Sequence, residues 1–113
     1  MDDCVFCKII DGSIPSKKVY EDEQIIAFHD LDPQAPVHVL VVPKQHICCA
    51  DKIDESNASV IAHIFTKIPQ IAKSLGLENG YRIVNNCGEH ACQSVKHIHF
   101  HLLGGTQLGG RMA

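Results

Sequence analysis

The chain has 113 residues, 45% of them apolar, and a net charge of −3 with histidine neutral. That length predicts one domain, residues 1–113, and the apolar share excludes a disordered chain. The negative balance argues against electrostatic binding to nucleic acid or to an anionic membrane surface, and no apolar run approaches the ~20 residues needed to cross a bilayer.

From the N-terminus, Cys4 to Asp11 reads as a short helix, with Phe6, Ile9 and Ile10 at helical spacing and Gly12 closing it. Ser13 to Ser16 is a loop. Val19 to Glu21 and Gln24 to His29 form a predicted hairpin around Asp22-Glu23. Asp30 to Pro36 is a wide turn punctuated by Pro33 and Pro36. Val37 to Val42 is a near-continuous apolar run, the best central strand. Lys44 to Ile53 is a loop with a short helical segment. Asp54 or Ser56 is positioned to cap a long helix ending near Leu75, whose stripe is Val60, Ile61, Ile64, Ile68, Ile71 and Leu75. Pro69 lies inside that helix, and Gly76 suits its C-terminal stop. His63 is expected on the helix surface. Tyr81 to Val84 is a further strand, Asn85 to Cys92 a turn-rich loop, and His97 to Leu103 a last strand. Strands dominate and one long helix covers a single face, which predicts an α+β fold with an antiparallel sheet.

The acidic start, Met1-Asp2-Asp3-Cys4, does not read as a signal peptide, so a cytoplasmic location is expected. The six cysteines are then expected to be reduced. Cys48 and Cys49 are adjacent, which makes a bridge between them strained.

The most informative run is Gln93 to Gly105. Side chains alternate between the two faces of a strand. His97, His99 and His101 therefore share one face and Ile98, Phe100 and Leu102 the other. The three rings stand roughly 7 Å apart from one to the next. That spacing suits an anionic group lying along the strand, or a metal. Histidine also exchanges protons near neutral pH.

The run His97-Ile98-His99-Phe100-His101-Leu102-Leu103 resembles the signature of the histidine triad (HIT) family. Asp30, the run Pro33 to His38, Pro43 to His46, and Ile83 to Asn86 before Gln93-Ser94 resemble its other blocks. The match covers nearly the whole chain and is nearest to the Hint-like purine nucleoside phosphoramidase branch. The resemblance implies a HIT-like fold: an antiparallel sheet of about five strands, one long helix and a short N-terminal helix.

It also implies hydrolysis of a purine nucleotide or nucleoside 5′-phosphoramidate, of the adenosine 5′-monophosphoramidase type, with no organic cofactor. His99 would be the nucleophile and carry a nucleotidyl intermediate. His101 would contact phosphate oxygens or give a proton to the leaving amine, and His97 would support His99. Ser94 and Asn86 match positions that bind the phosphate or assist the leaving group, with Gln93 beside them as a further substrate-binding candidate, and Asp30 matches the residue that accepts the ribose hydroxyls. His38 matches a supporting histidine, although a histidine in an apolar strand is often only a core residue. Phe6, Ile9, Phe28, His29 and Leu31 resemble the wall of the base pocket, although the apolar ones would serve equally as core.

Cys4-Val5-Phe6-Cys7 is a C-x-x-C at the chain start. Metal-binding relatives hold zinc through such a pair with two histidines, which here correspond to Cys4, Cys7, His46 and His97. The resemblance thus implies a structural zinc ion, and a homodimer formed through the long helix and the strand near Tyr81. Two readings compete with the nucleotidyl hydrolase. One is a zinc hydrolase using strand histidines as catalytic ligands. The other is a non-catalytic nucleotide-binding or scaffold protein. The Gly-rich tail, Thr106 to Ala113, is expected to be flexible.

Overall fold

The computed structural model describes residues 4–113. Helix α1 is Val5–Ile10, followed by strands β1 (Lys18–Glu21), β2 (Ile25–His29) and β3 (Val37–Pro43), helix α2 (Ala58–Ser74), and strands β4 (Tyr81–Val84) and β5 (Phe100–Gly104). The five strands form one sheet in the order β1-β2-β3-β5-β4. Every neighbouring pair is antiparallel. β3 is the central strand, as its apolar run predicts.

The period of two sorts the strands onto two faces. Ile25, Ala27, Val39, Val41, Phe100 and Leu102 pack with Val60, Ile64, Ile68 and Ile71 of α2. Ile26, Phe28, Leu40 and Val42 point the other way, where Phe6 and Ile9 of α1 cover them. The long helix therefore covers a single face, as the sequence predicts, and the short helix α1 packs on the other.

α2 ends as its sequence dictates. Gly76 takes φ +76°, Gly76 N–H donates to the Lys73 carbonyl at 3.1 Å, and Leu77 N–H to the Ala72 carbonyl at 3.0 Å. That is a Schellman stop. Its start differs from expectation. Asn57, not Asp54 or Ser56, is the N-cap residue, and no side chain caps the helix. Asp54 Oδ1 instead accepts from Ser56 N–H at 2.8 Å, so its carboxylate closes the preceding turn. The helix runs through Pro69 to Ser74.

His63 is not a free surface residue. Its Nε2 lies 2.7 Å from Asp22 Oδ2, tying α2 to the β1–β2 turn. The C-terminal tail is also anchored, since Arg82 Nη2 donates to the Gly109 carbonyl at 2.6 Å. Among the described residues no helix is long and apolar enough to cross a membrane.

The last strand starts later than its alternation predicts. β5 begins at Phe100, leaving His97 and His99 in the segment before it. Their backbone groups are used elsewhere. Ile98 N–H donates to the Ile47 carbonyl at 2.6 Å, and the His99 carbonyl accepts from Asn85 Nδ2 at 3.0 Å. The two-face alternation persists without the ladder, because Ile98 joins the α2 side of the core and His99 lines the cavity on the other side.

Candidate active site

A cavity of about 280 Å³ opens on the α1 side of the sheet. Val5, Phe6 and Ile9 of α1, Ile14 to Lys17 of the following loop, and Phe28 to Leu31 of β2 and its turn form most of its wall. Leu40, Ser94, Val95, His99 and His101 complete it. Leu40 sits in register with Phe28 on one side and His101 on the other, so it floors the cavity between them. Leu31 is 97% exposed at the rim.

Of the residues implicated by sequence, Phe6, Ile9, Phe28, His29, Asp30, Leu31, Ser94, His99 and His101 meet at this cavity. Gln93, Asn86, His38 and His97 do not line it. Gln93 is pinned: its Nε2 donates to the Cys48 carbonyl at 2.8 Å and the Val95 carbonyl at 2.9 Å, while Oε1 accepts from Gly88 N–H at 3.0 Å. Asn86 Nδ2 donates to the Ala91 carbonyl at 2.8 Å. Both amides hold the loop that carries Ser94. Leu40, Ile14 and Val95 escaped sequence reasoning. Leu40 had a usable signal, since it lies two residues after His38 on a strand and so shares its face.

The ring nitrogens are set by their fixed neighbours. His99 Nδ1 lies 2.8 Å from the His97 carbonyl oxygen. A carbonyl only accepts, so Nδ1 bears the proton and Nε2 keeps a lone pair. Nε2 has no hydrogen-bond partner among the described residues. The Phe6 ring stands edge-on to His99, with centroids 5.0 Å apart.

A second chain of contacts orients His101. Gln34 N–H donates to His38 Nδ1 at 3.0 Å, which places the His38 proton on Nε2. That nitrogen is 2.9 Å from His101 Nδ1 and 3.4 Å from Asp30 Oδ2. His101 Nδ1 therefore accepts, and the His101 proton sits on Nε2. Burial, reinforced by the neighbouring His99 and His38 rings, pushes His101 down to about 4. Burial also lowers His38, against the pull of Asp30 and Asp32. At neutral pH His101 is an uncharged donor beside His99, with ring centroids 5.1 Å apart.

Behind these rings lies a cluster of Cys4, Cys7, His46 and His97, whose four donor atoms all fall within 4.8 Å of one another. His97 Nε2 lies 2.8 Å from the Pro43 carbonyl, so Nδ1 offers its lone pair to the cluster. From Nδ1 the distances are 3.3 Å to Cys4 Sγ, 3.6 Å to Cys7 Sγ and 3.1 Å to His46 Nδ1. Cys7 Sγ is 3.4 Å from His46 Nδ1. A tetrahedral ion with ordinary Zn–S and Zn–N bonds requires edges of about 3.6 Å from nitrogen to sulfur and about 3.4 Å between nitrogens. The donors fit such an ion. Burial and the adjacent Cys4 push the Cys7 thiol up to about 11, so a cation is what would draw it into the thiolate form.

Asp30, His38 and His101 also approach within 4.8 Å, but they make a hydrogen-bond relay and not a second metal site. With Gln34 N–H on His38 Nδ1, a metal on Nε2 would strip the ring of its only proton.

The whole chain has close counterparts. Residues 3–112 match the family model described as scavenger mRNA decapping enzyme C-term binding. An uncharacterised HIT-like protein of Buchnera aphidicola is 45% identical over 92% of this chain and 94% of that one. A 14 kDa zinc-binding protein of Zea mays is 46% identical over 92% of this chain and 83% of its own length. Among solved structures, a HIT family hydrolase from Clostridium thermocellum aligns with TM-score 0.97 and 47% identity over 100% of this chain and 99% of that one. A histidine triad protein from Clostridium difficile gives TM-score 0.94 and 46% identity, covering 98% of this chain and 97% of its own. With the alternating histidines and their cavity placed as described, these matches make the chain a member of the histidine triad family.

Proposed function

We propose that the protein is a nucleotidyl hydrolase that cleaves purine nucleoside 5′-phosphoramidates through a covalent intermediate on His99. The observation that carries this reading is the 2.8 Å contact from His99 Nδ1 to the His97 carbonyl, which leaves Nε2 free as a nucleophile at the cavity. The name of the Clostridium thermocellum relative, a HIT family hydrolase, supports the reaction type.

In the first step, His99 Nε2 forms a bond to the α-phosphorus and the P–N bond breaks. The departing nitrogen keeps the electron pair and takes a proton from solvent on the Ser94 side. His101 does not readily supply that proton, because a neutral ring that gave up its one N–H proton would be left as an imidazolate. It serves better as an Nε2–H donor to a phosphoryl oxygen, where a fixed dipole offsets developing charge. In the second step, water attacks phosphorus and gives up a proton to solvent, the P–Nε2 bond breaks, and the pair returns to His99. The apolar wall of Phe6, Ile9 and Phe28, with Leu31 at the rim, suits a purine face. Asp30 Oδ1 accepts from Asp32 N–H at 2.8 Å, and the carboxylate's remaining lone pairs are available to the ribose hydroxyls.

Zinc is proposed for Cys4, Cys7, His46 and His97. Four protein donors leave no position for water, so the ion would cross-link the fold. A metal-hydroxide mechanism therefore gains no support from this cluster. A cytoplasmic homodimer completes the proposal. The outer edge of β4 has no strand partner among the described residues, and Tyr81 and Phe65 are exposed at 37% and 46%.

The test is burst release from a fluorogenic adenylyl phosphoramidate, with His99→Asn as control. One equivalent of product per site followed by slower turnover is expected. Full turnover by His99→Asn would remove the mechanism, and no turnover by the intact protein would favour a binding or scaffold role.

A further inference from the structure

Helix α1 has six residues, too short to persist by its own hydrogen bonds. Yet it supplies Val5, Phe6 and Ile9 to the cavity wall. Two donors of the four-residue cluster bracket Phe6. Cys4 is the N-cap of α1, its Sγ accepting from Cys7 N–H at 3.3 Å, and Cys7 lies one residue past Phe6. Phe6 itself is 5% exposed, edge-on to His99 at 5.0 Å, to His97 at 5.9 Å and to Phe28 at 5.7 Å. The cluster's other two donors, His46 and His97, belong to segments fixed on the sheet: His97 through the Pro43 carbonyl at 2.8 Å, and the neighbouring Ile47 carbonyl through Ile98 N–H.

We propose that the metal held by Cys4, Cys7, His46 and His97 seats α1 against the sheet, and that Phe6 is the wall residue through which metal occupancy sets nucleotide affinity. The ion joins two donors on the movable wall to two on the rigid one. Its loss returns α1 to apolar packing and the thiol–imidazole contacts, loosens the Phe6 side of the cavity and weakens the edge-on contact of Phe6 to His99. This rests on the nucleotide reading of the cavity, and the metal's effect is on ligand binding and wall order, not on bond chemistry.

The experiment compares zinc-loaded and chelated protein by two readouts, AMP titration by calorimetry and amide hydrogen exchange. Chelation is expected to weaken AMP at least tenfold and to speed exchange of the α1 amides at least tenfold, with β2, β3 and β5 unchanged. Zinc-loaded Phe6→Ala should retain the metal and show a comparable loss of AMP affinity. An AMP affinity within twofold after chelation, or α1 exchange that does not move, would overturn the inference. So would loss of protection across β3, since the ion would then hold the whole fold. Failure to take up zinc would end it outright. If the loaded protein binds no AMP, the nucleotide reading falls, while the exchange arm still decides whether the metal seats α1.

Discussion

His99 is oriented by the backbone of a residue two positions earlier: its Nδ1–H donates to the His97 carbonyl at 2.8 Å. His97 in turn spends its Nε2–H on Pro43 and turns Nδ1 to the cysteines. Two alternating histidines thus hold opposite tautomers, one presenting Nε2 to a cavity and the other Nδ1 to a cluster. Their side-chain chemistry is the same; the carbonyl each ring meets decides its role.

Removing the His99 ring while leaving its space tests that assignment directly. His99→Gly should lose at least about a thousandfold in kcat, as expected when a covalent nucleophile is deleted. Added imidazole should restore part of the rate by occupying the gap and attacking phosphorus itself. Mass spectrometry of the quenched wild-type reaction should locate the nucleotidyl group on His99. Adduct on another side chain would sink the assignment.

His38 acts through His101. Its 5% exposure and its 2.9 Å contact to His101 Nδ1 predict that His38→Ala frees His101 to adopt either tautomer. The rate should fall about ten- to a hundredfold, by analogy with the loss of a partner that orients a metal-bound histidine. The loss should appear in kcat with KM little changed, because His38 does not line the cavity. A pure KM effect would instead place His38 against the substrate. Nitrogen chemical shifts of His101 report the tautomer independently of rate.

Much of this was legible beforehand. Apolar runs placed β2 and β3 within a residue or two, because both faces of those strands are buried. The start of β5 was not legible. His97, Ile98 and His99 alternate like a strand, but Ile98 N–H goes to Ile47, and no local pattern records where a distant loop will offer a carbonyl. Gln93 misled for the same reason. Beside Ser94 it reads as a phosphate ligand, while its three hydrogen bonds go to loop backbone. His63 read as a surface residue because its partner, Asp22, is 41 residues away in sequence.

Acid should weaken the fold in a defined window. His101 falls to about 4 through burial and its neighbouring rings, and burial lowers His38 as well. Both therefore resist protonation when folded and accept it near 6.5 when unfolded. Their contribution is fully present above about pH 6.5 and is lost as the pH falls toward about 4. The urea midpoint of metal-free protein should drop between pH 7 and pH 5, before carboxylates titrate. His101→Gln should flatten that slope. A midpoint that stays level in the parent protein would contradict the inferred neutrality of His101.

The junction of Asp22 and His63 carries stability without touching the cavity. Asp22 Oδ1 accepts from Gln24 N–H at 2.8 Å and Ile25 N–H at 3.0 Å. Its Oδ2 accepts from Tyr20 Oη at 2.8 Å and meets His63 Nε2 at 2.7 Å. Burial works to raise this carboxyl, but the bonds from His63, Gln24, Tyr20 and Ile25 together hold it well below the usual carboxylate range. The folded value is depressed, so the contribution is present above the ordinary carboxylate value and fades as acid protonates Asp22. Asp22→Ala leaves four donors without a partner and should cost about 1–3 kcal/mol of unfolding free energy. His63→Ala should cost less, because the backbone and tyrosine bonds remain. Neither should alter kcat for a phosphoramidate, since the junction sits on the α2 side of the β1–β2 turn. Equal losses for the two variants would mean that the tie to α2, and not the turn itself, is what Asp22 stabilises.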